Sequence, residues 1–354
     1  MSPAPAIPGS DAFRHAPLQA SGLPPRILNA LQAAGLSTLG DLCPSPPPCD
    51  SLDADDRALL SRVSAWCRAA CAGRPPPLSL PEWLALFLTP RLADTLRIHY
   101  ALETPATAIA LHESTLRETG HQLGVTRERA RQLVTLAFNA LRQTLPLFAA
   151  EPLFRAAESA LHNAGGVLDA PSLARNADPA WGGASPVGAF LLLARLLPGR
   201  LTLYRGFFSA FSDLQIERTE KALRDRMEAA GGLLPVAGIA GTLPASARPT
   251  GTPSAEPLLL LLLRHLPDTL ATRDGRAGLL DRDGPRLLRE VLAETGEAPL
   301  RRILDAFNGR LHPECRRGSG TVRQLLQRDP RIRKTAPGRY ALPGGLQIPL
   351  PLDP

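Results

Sequence analysis

Residues 115–133, TLRETGHQLGVTRERARQL, leave the chain few choices. Thr115 followed three residues later by Glu118 makes a capping box, so a helix starts at Leu116 and carries Leu116, Gly120 and Leu123 on one face. Gly124 ends that helix, and Val125 turns inward. Thr126 caps a second helix whose first turn holds Glu128, where the helix dipole favours a carboxylate. Ala130, Leu133 and Ala137 recur at helical spacing as its buried stripe. Arg127, Glu128, Arg129, Arg131, Gln132 and Thr135 are left to point outward. Such a mix of guanidinium, amide, carboxylate and hydroxyl groups can contact base edges and phosphates in a major groove. The same spacing also suits an amphipathic hairpin with a solvated, charged face.

Leu116, Glu118, Gly120, Leu123, Gly124, Val125, Thr126, Arg127, Glu128, Arg129, Arg131 and Gln132 form a pattern that resembles region 4 of bacterial sigma factors. Residues 88–102, LTPRLADTLRIHYAL, are similar to the helix that precedes the motif in that family. The resemblance implies a helix-turn-helix that reads duplex DNA, with RNA polymerase as a possible partner. One departure concerns the second helix, which is expected to run from Thr126 up to Pro146. After Gln132 the family continues with basic residues, whereas LVTLAFNALRQ is mostly apolar and neutral, so the far end is expected to pack on protein. Another is upstream. The chain before Leu80 has one Trp, one Phe and no Tyr to capture unpaired bases, so a complete sigma factor is not expected.

Residues 22–42, GLPPRILNALQAAGLSTLGDL, read as a helix from Pro25 to Ala34, a stop at Gly35 and a second helix opened by Ser37 or Thr38. This grammar resembles the first half of the C-terminal domain of the RNA polymerase alpha subunit, which implies that Arg26 and Asn29 enter the minor groove of DNA. That family's second hairpin is replaced here by CPSPPPCDSLDADD, which leaves DNA contact and protein docking as alternatives for this module. A further helix is expected over residues 53–72, followed by a proline-rich linker.

Beyond Pro152 an order recurs three times: a helix ending at glycine, a short helical region, a third helix and a hairpin. Gly166, Gly232 and Gly296 are spaced by 66 and 64 residues. The hairpins are expected at residues 200–209, 268–280 and 331–342, each around a glycine-containing turn. Three helices and a hairpin are the winged-helix order. The third copy is basic: residues 301–340 hold ten Arg and one Lys against three acidic residues, while the whole chain is only +7. Its helix should expose Arg323, Gln327 and Arg328, and its hairpin Arg333, Lys334 and Arg339, as phosphate contacts.

The expected architecture is therefore mainly α, with a helix-hairpin-helix module, a sigma region 4-like helix-turn-helix and tandem winged-helix modules carrying small β-hairpins. The expected segments are a tail (1–17), the alpha-like module (18–74), the helix-turn-helix (80–148), three winged-helix modules (150–212, 213–285, 286–345) and a tail (346–354). No phosphate-binding loop, H-E-x-x-H, G-x-S-x-G or dinucleotide fingerprint occurs, so neither enzymatic activity nor a cofactor is expected. His112 and Glu113 lack a second histidine at helical spacing. Asp281 and Asp283 read as part of a turn with Gly284 and Pro285. Cys43, Cys49, Cys67 and Cys71 lack paired C-x-x-C knuckles, and free thiols suit them better than zinc. The longest apolar run, residues 258–263, is too short to span a bilayer, and the first residues lack a basic start and an apolar segment. The expectation is a cytoplasmic, nucleoid-associated transcription regulator with double-stranded DNA as partner. The alternative is a non-enzymatic adaptor docking on RNA polymerase or another multi-subunit assembly.

Overall fold

Side-chain caps set several helix starts in the computed structural model, which describes residues 14–43, 51–103, 114–176, 178–249 and 254–343. His112, Glu113 and Cys49 lie outside these residues. The described chain is mainly helical with three small antiparallel sheets, and it divides into two compact units. The first comprises Met1–Ala164 with Leu168–Ala210, and the second Gly165–Val167 with Phe211–Pro354.

In the first unit, α1 (Pro25–Ala33) ends at Gly35, whose φ of 84° suits glycine. The second helix expected there is a single 3-10 turn, Leu39–Leu42. Asp41 closes its capping box by accepting the Ser37 and Thr38 amides, both at 2.8 Å. These backbone hydrogen bonds hold the Asp41 carboxyl below its ordinary pKa. α2 (Ala54–Cys71) falls within the helix expected over residues 53–72, and the Asp53 side chain caps it by accepting the Asp56 amide. α3 (Leu80–Phe87), α4 (Pro90–His99), α5 (Leu116–Gln122) and α6 (Arg127–Leu141) follow. Contrary to expectation, α6 does not run up to Pro146. It stops at Leu141, and Pro146 sits in the first turn of α7 (Thr144–Ala149), where its missing N–H costs nothing. One apolar cluster, including Leu31, Trp83, Leu96, Leu141, Phe154 and Phe190, runs through the unit. Trp83 Nε1 donates to the Pro146 carbonyl at 2.8 Å inside it.

α8 (Glu151–Asn163), β1 (Val167–Asp169), α9 (Ala170–Leu173), α10 (Pro186–Leu196) and the hairpin of β2 (Thr202–Tyr204) and β3 (Phe207–Ser209) form the first repeat. α10 is buried along most of its length. Gly188 lets it approach α4 so closely that a Cβ there would collide with the Tyr100 carbonyl, and the Ser185 amide donates to Leu102 O at 2.7 Å.

The second unit repeats the order twice. α11 (Asp213–Ala230), β4 (Leu234–Pro235), α12 (Val236–Thr242) and α13 (Glu256–His265) precede the hairpin of β5 (Thr269–Ala271) and β6 (Arg276–Leu279). α14 (Leu280–Thr295), β7 (Ala298–Pro299), α15 (Leu300–Arg310) and α16 (Ser319–Arg328) precede β8 (Arg333–Ala336) and β9 (Arg339–Ala341). The sheets have the same strand order, β1-β3-β2, β4-β6-β5 and β7-β9-β8. Pairings include Leu234 with Ala277 and Ala298 with Tyr340. The short strand after each glycine was not anticipated. It is too brief to show alternation, but Ala170, Val236 and Leu300 follow it at the 66- and 64-residue spacing of the glycines. So do Leu173, Ile239 and Ile303, which are all buried.

Residues 281–285 are not a turn but the start of α14, so the 285/286 boundary falls inside a helix. Asp283, 2% exposed, accepts the Leu279 amide at 2.9 Å and pairs with Arg282 at 2.8 Å, which fixes that first turn despite Pro285. Arg282 also donates to the Met227 and Gly232 carbonyls, capping the end of α11. Leu288, Val291, Phe307, Leu325, Leu326 and Tyr340 form the core of the third repeat.

Candidate nucleic-acid interface

The turn between α5 and α6 has little freedom. Thr115 Oγ1 accepts the Glu118 amide at 3.2 Å, and the Glu118 carboxylate accepts the Thr115 amide at 2.7 Å. Gly124 has a φ of 65°, and the Val125 amide donates to Gly120 O at 2.8 Å. A Cβ on Gly120 would lie 2.8 Å from Val125 O, so glycine is required for the two helices to meet at this angle. Thr126 then caps α6 by accepting the Arg129 amide at 3.2 Å. Below the turn, His99 and Thr119 share a buried hydrogen bond of 3.1 Å that ties α4 to α5.

This frame buries Ala130, Leu133, Ala137, Phe138 and Leu141 on one side of α6. Arg127, Glu128, Arg129, Arg131, Gln132 and Thr135 are all exposed on the other, as their spacing predicts. The outward groups are ordered among themselves. Glu128 receives a bidentate pair from Arg131, Arg129 donates to Gln132 Oε1 at 3.1 Å, and Thr135 donates to Arg131 O at 2.9 Å. The Arg131 hydrogen bond holds the Glu128 carboxyl below its ordinary pKa. Two further features were not singled out in the sequence. Leu136 is 51% exposed on α6, and an open cleft of about 510 Å³ runs beside the helix between Arg131 and Arg142.

The other anticipated contact residues are not gathered here. Arg26 lies on α1, where it pairs with Asp53 at 2.8 Å and with the buried Asp56 at 2.6 Å, while Asn29 is exposed on the same helix. Arg323, Gln327 and Arg328 are exposed on α16, above the buried Val322, Leu325 and Leu326. Arg333, Lys334 and Arg339 are exposed on the β8–β9 hairpin. Internal pairing reduces this basic surface. Arg328 meets Asp281 at 3.1 Å, and Arg339 meets Glu297 at 2.7 Å. Arg289 pairs with Asp329, and Arg310 with Glu290 and Glu294. Among the described residues, Arg301, Arg302, Arg323, Arg333 and Lys334 enter no ion pair. The corresponding third helices of the other repeats, α10 and α13, are largely buried and present no such face.

Among the described residues no group of three or more His, Cys, Asp or Glu side chains is placed to hold a metal ion, and no helix is long and apolar enough to cross a membrane. Residues 88–143, which span α4, α5, α6 and the following cap, match the family model of Sigma-70, region 4. No curated protein and no solved structure matches the chain significantly.

Proposed function

We propose that this protein binds double-stranded DNA as a transcription regulator, with α6 entering the major groove. The observation that carries the reading is the outward face of α6. Arg127, Glu128, Arg131, Gln132 and Thr135 stand exposed on a helix whose opposite side is locked into the core, within the segment that matches Sigma-70, region 4. Arg131 and Gln132 would supply base-edge contacts, and Arg127 and Arg129 at the helix start would hold phosphates. The protein acts without catalysis and without a cofactor, as a regulator rather than as a complete sigma factor.

The three repeats are read as tandem winged helices, of which the third adds sequence-independent affinity. Arg323 and Gln327 on α16, with Arg333 and Lys334 on its wing, offer cations and an amide to the DNA backbone. The first two repeats serve as supports, because their third helices are spent on packing. The Arg26 pairs with Asp53 and Asp56 favour a structural or docking role for the N-terminal module.

Leu136 favours a second reading, in which α6 docks on RNA polymerase or another assembly. An exposed leucine suits a protein surface better than a phosphate. Selection from a randomised duplex library at near-physiological salt separates the two. A motif enriched by the wild type and lost in the Arg127→Ala, Arg131→Ala double variant supports the regulator. Equal binding by both proteins without enrichment, together with polymerase co-purification that survives nuclease, supports the adaptor.

A further inference from the structure

Three of the five cysteines meet where the 3-10 turn Leu39–Leu42 packs on the end of α2. Cys43, which caps the turn, and Cys71, the last residue of α2, are half-buried, whereas Cys67 is fully buried one helical turn before Cys71. Cys43 Sγ lies 3.8 Å from the Leu39 carbonyl oxygen and 3.7 Å from the Cys67 carbonyl oxygen. The Cys67 carbonyl is where the helix receives the Cys71 amide, and a helical Cα–Cβ bond tilts back toward the helix start, which carries the Cys71 thiol toward that same carbonyl. The Cys43 and Cys71 sulfurs are therefore neighbours. Burial, and then the Cys71 thiol beside it, push the Cys43 thiol up to about 12, while Arg14 and Arg68 pull it the other way. Arg14 is anchored on the same helix end, its Nη2 donating to the Cys71 carbonyl at 3.1 Å. Among the described residues no group of three or more such side chains is placed to hold a metal ion, which leaves this cluster the chemistry of a pair.

We propose that Cys43 and Cys71 are a reversible disulfide site, at which a peroxide oxidant clasps the Leu39–Leu42 turn to the end of α2. One sulfur, as its thiolate, attacks an oxygen of hydrogen peroxide; the O–O bond breaks, and the departing hydroxide is protonated to water. The second sulfur then attacks the sulfenic acid, so that an S–S bond forms, the S–O bond breaks and a second water leaves. The two sulfurs give two electrons to the peroxide, and a dithiol reductant returns them. Cys67, 0% exposed, is shielded from the oxidant. The new bond closes the loop 43–71, which carries Asp53 and Asp56, the carboxylates that pair with Arg26 of α1. In the oxidised module both ends of α2 are tied down, the start by ion pairs and the end covalently.

The test treats the folded full chain with a small excess of hydrogen peroxide, alkylates the remaining thiols and maps the tryptic peptides by mass spectrometry. Cleavage at Arg68 separates Cys67 from Cys71. The expected product is one disulfide joining the Cys71 peptide to the peptide that contains Cys43, reopened by dithiothreitol. Fragmentation of the linked wild-type peptide distinguishes Cys43 from Cys49, so the assignment does not depend on any variant folding. The link should be absent from Cys43→Ser and Cys71→Ser and fully formed in Cys49→Ser and Cys67→Ser. Intrinsic fluorescence reports on the first unit, which holds all three tryptophans. Its melting temperature should rise by roughly 5–10 °C on oxidation of the wild type and not at all in Cys71→Ser. Thiols that stay unlinked, or a link that persists in Cys43→Ser or is lost in Cys49→Ser, would overturn the site. A linked protein that melts no higher than the reduced one would overturn it too, because the bond would then not fit the native turn.

Discussion

Arg131 donates to both carboxylate oxygens of Glu128, with Nη2 2.6 Å from Oε1 and Nε 2.9 Å from Oε2, on the open face of α6. On the proposed DNA reading, the guanidinium assigned to base edges is therefore already paired in the unbound protein. Both partners are solvent-exposed, so breaking the pair costs little. On that reading the pair acts on selectivity, because Arg131 would leave Glu128 only where a base offers equally good acceptors.

Glu128→Gln tests this directly. It weakens the hold on Arg131 and removes a negative charge from the exposed face of α6. Affinity for unrelated duplexes should rise about threefold to tenfold, with a salt slope steeper by about one. The preference for the selected site should shrink. Arg131→Ala should instead cost about 1–3 kcal/mol at the preferred site and little elsewhere. Fluorescence anisotropy over a salt series resolves both, and an unchanged site preference in Arg131→Ala would mean that α6 does not read bases.

Arg26 and Asn29 separate a structural role from a DNA role in the N-terminal module. Arg26 is the cation beside Asp56, whose carboxyl is buried and has its pKa raised by that burial against the pull of Arg26. Arg26→Ala should lower stability by about 1–3 kcal/mol, since it strands a buried acid. Asn29→Ala, at an exposed position with no such partner to strand, should leave stability within about 0.5 kcal/mol. Urea unfolding checks the pair, and equal stability of Arg26→Ala and wild type would remove the structural assignment.

Within the third repeat, the ion pairs decide which charges count. Arg333 and Lys334 enter no ion pair among the described residues, so replacing both with Gln should flatten the salt slope by about two and weaken all duplexes alike. Arg339 is already matched by Glu297 at 2.7 Å, and Arg339→Gln should change the slope by less than either of those residues. A slope indifferent to Arg333 and Lys334 would place the β8–β9 hairpin away from DNA.

The helix-turn-helix was legible because its constraints are local. Capping boxes, a left-handed glycine and a helical apolar stripe act within a few residues, and Thr115, Gly124, Thr126 and Ala130 occupy the places their chemistry dictates. The three hairpins were legible for the same reason, through glycine turns and alternation. What depends on distant partners was not. Asp283 sits beside Gly284 and Pro285 and reads as a turn, yet its hydrogen bond to Leu279 and pair with Arg282 start a helix there. The pairing of Arg26 with Asp56 and the presence of Arg195 in the cleft of α6 are likewise tertiary facts, with no periodic trace in the sequence.

The first repeat is held to its own first helix by Arg200, which meets Glu151 at 2.7 Å and Glu158 at 2.8 Å and lies 4.7 Å from the centre of the Phe154 ring. Arg200 is only 19% exposed, and its two carboxylates raise its own pKa against the effect of burial. Burial pushes the Glu151 carboxyl up, but the hydrogen bonds and charge of Arg200 outweigh it, so the folded pKa lies below the ordinary value. A carboxyl depressed in the folded state stabilises the protein above its unfolded pKa, and that stabilisation is lost as pH falls through the folded one. Arg200→Ala should therefore cost about 1–3 kcal/mol at pH 7, where Glu151 is left charged and half-buried, and much less near pH 3. All three tryptophans, Trp66, Trp83 and Trp181, lie in the first unit, so intrinsic fluorescence during urea unfolding reports on that unit. A deficit in Arg200→Ala that stayed constant from pH 7 to pH 3 would show that the loss comes from packing on Phe154 and not from the ion pairs.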